Sequence, residues 1–218
     1  MRVQFLLLGE GTTERGFIEH LTNLCIAAGA SEASGSIPEF ERSSVRVGHE
    51  LVLKLHAARQ LDPQANLFFV HRDADHDDPE PRYREIVRAV QTSTTAVAWV
   101  AIVPIHETEA WLLTDEEAIR RVAGKPRSRT PLNLPPLSRI EQTKRPKERL
   151  EAALLAAAQP LSGKHLERFK RAFGRQRQQL LEELPLGGAL EQLAAWRRLR
   201  DDTAAAIAAL RAAEETQA

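Results

Sequence analysis

The apolar positions along the chain fall into short continuous runs that alternate with segments of helical periodicity. Val3–Leu8, Asn66–Val70 and Ala96–Val103 are mostly apolar and bounded by turn residues, which is typical of strands buried on both faces. The more polar segment Ile37–Val47 predicts a further, more exposed strand. Four strands are therefore expected within the first half of the chain.

Helical spacing of apolar residues predicts a helix after each strand. The first covers Phe17–Ala28 and ends at Gly29, the second begins at Leu51 and stops before Pro63, and the third covers Tyr83–Val90. This alternation predicts an α/β fold, with a parallel four-stranded sheet flanked by helices. Functional sites in such sheets lie outside the carboxyl ends of the strands.

From about residue 119 the pattern changes to a basic, proline-rich connection over residues 124–146, and helices follow it. We therefore divide the chain into an α/β domain, residues 1–118, and a basic linker with an α-helical C-terminal region, residues 119–218. Three apolar stripes at helical spacing predict the C-terminal helices: Leu150, Ala153, Leu154 and Ala157; Leu166, Phe169 and Phe173; and Leu193, Trp196, Leu199, Ile207 and Leu210.

Charge is balanced over the whole chain but not along it. The 30 Lys and Arg equal the 30 Asp and Glu, yet residues 120–200 hold 19 basic and only 7 acidic residues. This asymmetry is typical of an acidic site in one part of a protein and a polyanion-binding surface in another. Solvation of ordinary basic helices explains the same asymmetry equally well.

The single cysteine, Cys25, excludes a disulfide framework and a cysteine-based zinc site. A reducing, cytoplasmic compartment is therefore expected. The N-terminal apolar run is too short for a signal peptide, and no stretch is long and apolar enough to span a membrane, so no membrane association is expected.

Acidic residues follow three of the predicted buried strands, just beyond the carboxyl end of each. Because these ends share one edge of a parallel sheet, we expect the clusters to approach one another, where like charges repel unless a cation lies between them. Carboxylate oxygens are the ligands that Mg²⁺ and Mn²⁺ prefer, so a site for one of these ions is predicted. The clusters contain Glu10 and Glu14; Asp73, Asp75, Asp77 and Asp78; and Glu107 and Glu109.

Each cluster taken alone also fits a structural role. Glu14 and Glu107 suit the first turn of a helix, and Asp77 and Asp78 suit a turn before Pro79. Other motifs fit poorly: an EF-hand loop, a phosphate-binding P-loop, a dinucleotide fingerprint, a serine elbow and an H-E-x-x-H zinc motif are all missing from the sequence. The histidines that border the acidic clusters are expected to support the site rather than to bind the ion.

The segments "GEGTTE", "HRDADHDD", "HETEAWLLTD" and "KRPKERL" resemble the Toprim domain of topoisomerases, primases and several nucleases. They look most like an uncharacterised bacterial Toprim-like family whose relatives include the nuclease half of OLD-family proteins. The resemblance covers about residues 3–115 and continues weakly through "KRPKERL". It implies a Toprim-like, Rossmannoid version of the parallel sheet.

The resemblance also implies phosphodiester chemistry that depends on Mg²⁺ or Mn²⁺. Glu10, Asp73 and Asp75 match the ligand and catalytic positions of the family. Glu14, Glu107 and Glu109 would complete or extend the metal site, and Lys147 or Lys144 would reach the transition-state phosphate. The ATPase that accompanies OLD-like nucleases would be a separate chain, or absent.

The basic half of the chain suits contact with nucleic-acid phosphates. A dense cationic run occurs in "KRPKER", and three arginines at i, i+3 and i+7 lie opposite the Leu166 stripe. These predicted contacts are Lys144, Arg145, Lys147, Arg149, Arg168, Arg171 and Arg175. A solvated helix face is the alternative interpretation of the same residues.

Three functional hypotheses follow. The first is a metal-dependent nuclease of Toprim type, as in phage defence or a toxin effector, acting on DNA or RNA. The second is a metal-binding Toprim module without catalytic activity, acting as the partner of a separate ATPase or of nucleic acid. The third is a metal-dependent phosphotransferase or hydrolase acting on a small phosphorylated molecule.

Overall fold

A computed structural model describes residues 1–9, 12–43, 47–93, 97–185 and 187–217. The chain divides into two compact units that are interleaved in sequence. The first contains Met1–Arg72, Pro79–Val103 and Arg197–Ala218, and the second contains Asp73–Asp78 and Pro104–Trp196. The predicted boundary between residues 118 and 119 separates two parts that are expected to fold independently. A division by internal contacts does not test independent folding, so this boundary stays a prediction.

The first unit is built on a four-stranded, entirely parallel sheet. Its strands are β1 (Arg2–Leu8), β2 (Glu32–Ser36), β3 (Leu67–His71) and β4 (Ala98–Ile102), in the order β2-β1-β3-β4. β1 and β3 occupy the centre and are almost wholly buried, in keeping with their apolar sequences. The predicted α/β class with a parallel four-stranded sheet is confirmed.

Three helices of the first unit follow the first three strands, as predicted. They are α1 (Phe17–Ala27), α2 (Leu51–Leu61) and α3 (Glu80–Thr92). The sheet's core includes Phe5 of β1 and Phe69 of β3, whose rings meet edge to face with centroids 5.1 Å apart. The buried apolar residues of α1 recur at helical spacing, as in Phe17, Leu21 and Leu24.

The second unit is helical. Its apolar core includes Trp111 and Trp196, which are fully buried and meet edge to face with centroids 5.2 Å apart. The remaining helices of the chain are α4 (Glu109–Leu112), α5 (Glu116–Val122), α6 (Pro146–Ala158), α7 (Gly163–Arg171), α8 (Phe173–Glu182) and α9 (Ala194–Gln217), of which α9 continues into the first unit. None of the helices in the described ranges is long and apolar enough to cross a membrane.

The predicted strand at Ile37–Val47 is wrong for the residues that the structure describes. Residues 37–43 contain a 3₁₀ turn at Phe40–Arg42, and residues 44–46 lie outside the described part. The edge strand is instead β2, with the sequence EASGS and alternating exposed and half-exposed positions. It pairs with β1 from Arg2 opposite Glu32 to Leu6 opposite Ser36. An edge strand of small and polar residues carries no apolar signal.

The stripe Leu166, Phe169 and Phe173 does not belong to one continuous helix. α7 ends at Arg171 and α8 begins at Phe173, with Ala172 between them. The predicted alignment of Arg168 and Arg171 with Arg175 therefore crosses a helix break. The side chains of all three arginines are exposed.

Candidate functional site

The loops that follow β3 and β4 run side by side within the second unit. Backbone hydrogen bonds join them at three places: Ala74 N to Pro104 O at 3.0 Å, Asp75 N to His106 O at 2.8 Å, and His106 N to His76 O at 3.3 Å. The acidic clusters of these two loops are therefore neighbours. This placement is what the parallel-sheet topology predicts for the second and third clusters.

Both loops contain a residue in the left-handed region of backbone space. Asp75 and His106 each have φ of 61°, a conformation that glycine adopts far more readily than other residues. Such conformations cost on the order of 1–3 kcal/mol each and persist where the surroundings enforce them, often at functional sites. His106 is buried, and its Nε2 lies 2.8 Å from Oδ1 of Asp77.

Asp73 is held in place by the loop after β4. Its Oδ1 accepts hydrogen bonds from the backbone N–H of Thr108 at 2.9 Å and from the Thr108 hydroxyl at 3.0 Å. Thr108 is fully buried, whereas Asp73 is half-buried. Two donors on one oxygen fix the direction of the Asp73 carboxylate relative to the neighbouring loop.

Glu107 lies between the acidic loops and the start of α6. Its Oε2 accepts a hydrogen bond from the backbone N–H of Lys147 at 3.0 Å, which caps the first turn of that helix. Burial raises the pKa of Glu107 above its ordinary value, and the negative charges of Glu109 and Asp73 add to the increase, while Lys147 opposes it. The structure thus brings Asp73, Glu107 and Glu109 within electrostatic reach of one another.

Glu109 forms a buried ion pair. Its Oε1 lies 2.8 Å from Nε of Arg177 on α8, and only 5% of Glu109 and 9% of Arg177 are exposed. A buried carboxylate whose charge is compensated by a guanidinium is suited to holding the loop in place. This pairing argues for a structural part for Glu109 rather than for the ligand role implied by the resemblance.

The donor set fits a divalent cation in part. Asp73 and Glu107 supply carboxylates whose mutual repulsion a cation would relieve, and Oε1 of Glu107 has no hydrogen-bond or ion-pair partner within the described residues. No group of three or more His, Cys, Asp or Glu side chains in the described ranges is placed to hold a metal ion. The predicted ligand Glu10 lies outside the described residues. Asp75 is exposed beside Asp73 in the same loop.

Glu14 belongs to a buried polar cluster in the first unit. Its Oε1 lies 3.6 Å from Nδ1 of His71, the last residue of β3, and both side chains are almost fully buried. Lys54 of α2 donates from Nζ to the carbonyl oxygen of Gly9 at 2.8 Å. A Cβ atom at Gly9 would lie 2.8 Å from Cδ of Glu14, so the glycine permits this close approach. Glu14 therefore has a well-defined structural environment of its own.

The predicted nucleic-acid contacts are all exposed to solvent. The cationic run surrounds the start of α6, where Arg145 has φ of 55° and precedes Pro146. Lys147 is the member whose backbone reaches the acidic loops, through Glu107. The exposed residues are Lys144, Arg145, Lys147, Arg149, Arg168, Arg171 and Arg175.

Sequence reasoning missed Thr108 and Arg177, the two residues that position the predicted acids. Thr108 stands between two glutamates in "HETEAW", and the metal chemistry predicted for this segment involves only its acids. Arg177 follows Phe173 by four residues and precedes Leu180 by three, which places it on the buried face of α8. A basic residue on the apolar face of a predicted helix, such as Arg177 here, is the sequence feature that indicates a buried ion pair.

Comparisons of the chain with family models, with curated proteins and with solved structures find no match. The resemblance to Toprim proteins therefore stays a prediction from the motifs.

Proposed function

We propose that this protein is a divalent-metal-dependent nuclease that hydrolyses phosphodiester bonds. The observation that carries the proposal is the juxtaposition of two acidic loops with the basic start of α6: Asp73 and Glu107 interact electrostatically, and Glu107 caps the helix at Lys147. Carboxylates beside exposed cations suit a reaction on a phosphate group, because the acids hold a metal ion and the cations attract the polyanion.

Asp73 and Glu107 would hold the ion, and the sequence predicts Asp75 and Glu10 as further ligands. When bound, Mg²⁺ or Mn²⁺ would supply Lewis-acid activation of the phosphate group and of a water molecule. Thr108 keeps the Asp73 carboxylate oriented through two hydrogen bonds. Preorganisation of this kind keeps the loop geometry unchanged during the reaction.

Lys147 has the placement for phosphate contact. Its side chain is exposed, and its charge acts on Glu107. Lys144, Arg145 and Arg149 surround it, so a strand that reaches Glu107 would meet several cations at once. These contacts go to the nucleic-acid backbone and carry no base specificity.

Cleavage assays with single- and double-stranded DNA and RNA, each with Mg²⁺, Mn²⁺ or EDTA, test the proposal. Activity is expected only with a divalent ion and is expected to fall at least a hundredfold in Asp73→Asn and Glu10→Gln. Glu117→Gln, which removes an exposed carboxylate on α5 of the same unit, serves as the matched control and should cleave normally. Full activity in Asp73→Asn with an intact fold would refute the site.

The other two hypotheses are distinguished by the same preparation. Calorimetric binding of Mn²⁺ without turnover of any nucleic acid would support a metal-binding module instead of a nuclease. Release of phosphate from small phosphorylated compounds, with nucleic acids left intact, would support the small-molecule hydrolase. Either result replaces the nuclease proposal.

A further inference from the structure

A small apolar cavity lies in the second unit between α6, α7 and α8. Its lining residues are distant from the acidic loops along the sequence. Its volume is about 130 Å³, and its walls include Leu154, Leu155, Phe169 and Phe173. An apolar cavity of roughly this volume accommodates one planar aromatic ring. Phe169 and Phe173 are half-buried, so aromatic surface is accessible from the cavity.

Gln176 also lines this cavity. Only 8% of the residue is exposed, and its carboxamide makes no hydrogen bond to another residue that the structure describes. The amide therefore has its donors and its acceptor available to a ligand with hydrogen-bonding groups. Glu151 lies at the same wall and provides an acceptor for a ligand N–H.

The segment that carries the α7 side of the cavity is strongly cationic. Residues 163–175 contain Lys164, Arg168, Lys170, Arg171 and Arg175 against a single acid, Glu167, and all five cations are exposed. Lys170 also lines the cavity and lies 3.7 Å from Glu167. A ligand that fits this cavity has an apolar planar ring, hydrogen-bonding groups at the edge of the ring, and negative charge outside it.

We propose that the cavity receives an unpaired nucleobase of a single-stranded nucleic acid, while the cations of α7 and Arg175 contact the adjoining phosphates. The ring stacks on Phe169, and Gln176 and Glu151 bond to the base edge. Aromatic side chains inside a cationic surface are how proteins bind single strands with little sequence preference. The inference rests on the proposed function, because it names the substrate class of that nuclease.

The test is binding of the full-length chain to short fluorescent strands of DNA and RNA and to the matching duplexes, with EDTA present so that no cleavage occurs. Single strands are expected to bind at least tenfold more tightly than duplexes. A 2-aminopurine placed in the strand should lose fluorescence on binding, because stacking on an aromatic ring quenches it. The DNA and RNA arms identify which sugar is preferred, and tight binding of either supports the proposal.

Conservative variants separate stacking from packing. Phe169→Leu keeps an apolar side chain without the aromatic face and is expected to weaken single-strand binding by about tenfold, equal to about 1.4 kcal/mol. Phe169→Tyr should bind like the wild type. Phe40→Leu removes a half-buried ring from the first unit and is the matched control. Arg171→Gln should reduce the slope of log affinity against log salt by about 0.7.

Equal binding of single strands and duplexes, unchanged 2-aminopurine fluorescence, or normal binding by Phe169→Leu would each overturn the proposal. These outcomes are independent of the nuclease reaction. A protein that cleaves duplexes but ignores single strands refutes the cavity proposal alone. A protein that binds single strands at the cavity but cleaves nothing refutes the nuclease alone.

Discussion

Replacing Arg177 by methionine is expected to destabilise the second unit by about 3–5 kcal/mol, because it leaves Glu109 as a buried carboxylate without its counter-ion. The structure supports the upper part of this range: Nε of Arg177 lies 2.8 Å from Oε1 of Glu109, and both residues are at least nine-tenths buried. Glu109→Gln should cost a similar amount, because the amide still accepts a hydrogen bond but leaves the buried guanidinium of Arg177 without its counter-ion.

The double variant Arg177→Met with Glu109→Gln is the informative one. It removes both charges and restores a neutral interior, so it should be more stable than Arg177→Met alone. Denaturant unfolding followed by tryptophan fluorescence measures all three, since buried Trp111 and Trp196 report on this unit. For a chain of this size, a loss of 3–5 kcal/mol lowers the melting temperature by roughly 6–20 °C.

Two results would refute this reasoning. A loss below about 1 kcal/mol in Arg177→Met would mean that the pair is solvated like a surface salt bridge. A double variant no more stable than Arg177→Met would mean that the arginine acts through packing rather than through its charge.

Three other changes have defined outcomes. Burial raises the pKa of Glu107 in the folded state, so the wild type loses stability as the pH rises from the ordinary carboxyl pKa through the higher pKa of the folded state. Glu107→Gln has no charge to gain and avoids this loss. In urea unfolding, the variant should therefore be more stable than the wild type near neutral pH, and the difference should vanish in acid. Gly9→Ala should lower the free energy of unfolding by about 1–3 kcal/mol because its Cβ would meet Glu14, whereas Gly174→Ala, where the Cβ meets nothing within 4 Å, should not destabilise in thermal melts. Burial raises the pKa of Cys25 to about 12, so mass spectrometry should detect alkylation at pH 8 only as fast as the protein unfolds, and rapid labelling of native protein would contradict this.

The sheet could be predicted from the sequence where burial imposes an apolar run. β1, β3 and β4 match such runs to within a few residues, apart from Ala96, which lies outside the described part. β2 could not be predicted because Glu32–Ser36 has an edge position, and what holds it is backbone pairing with β1. Gly35 admits the ring of Phe5, which an added Cβ would overlap, and this packing detail has no local signature in the sequence.

The candidate site was predictable only as far as topology determines it. Parallel strands bring their carboxyl ends to one edge, and this rule placed the loop of Asp73 beside the loop of Glu107. The partners of these acids depend on how α6 and α8 pack in the second unit, which no local pattern encodes. For this reason the sequence predicts a part for the side chain of Lys147, whereas its backbone N–H makes the contact with Glu107.

Two of the four non-glycine residues with positive φ in the described ranges lie in the two acidic loops. Asp75 and His106 adopt the left-handed conformation, and Glu107 keeps a charge that its surroundings disfavour. Glu109 nearby is compensated by Arg177, so the loops are able to neutralise an acid where stability alone matters. Burial and the charges of Glu109 and Asp73 raise the pKa of Glu107 instead, a cost that selection for stability alone does not explain. Under the proposed function, Glu107 is therefore where a cation is expected to act, and Mn²⁺ titration of Glu107→Gln against wild type measures that directly.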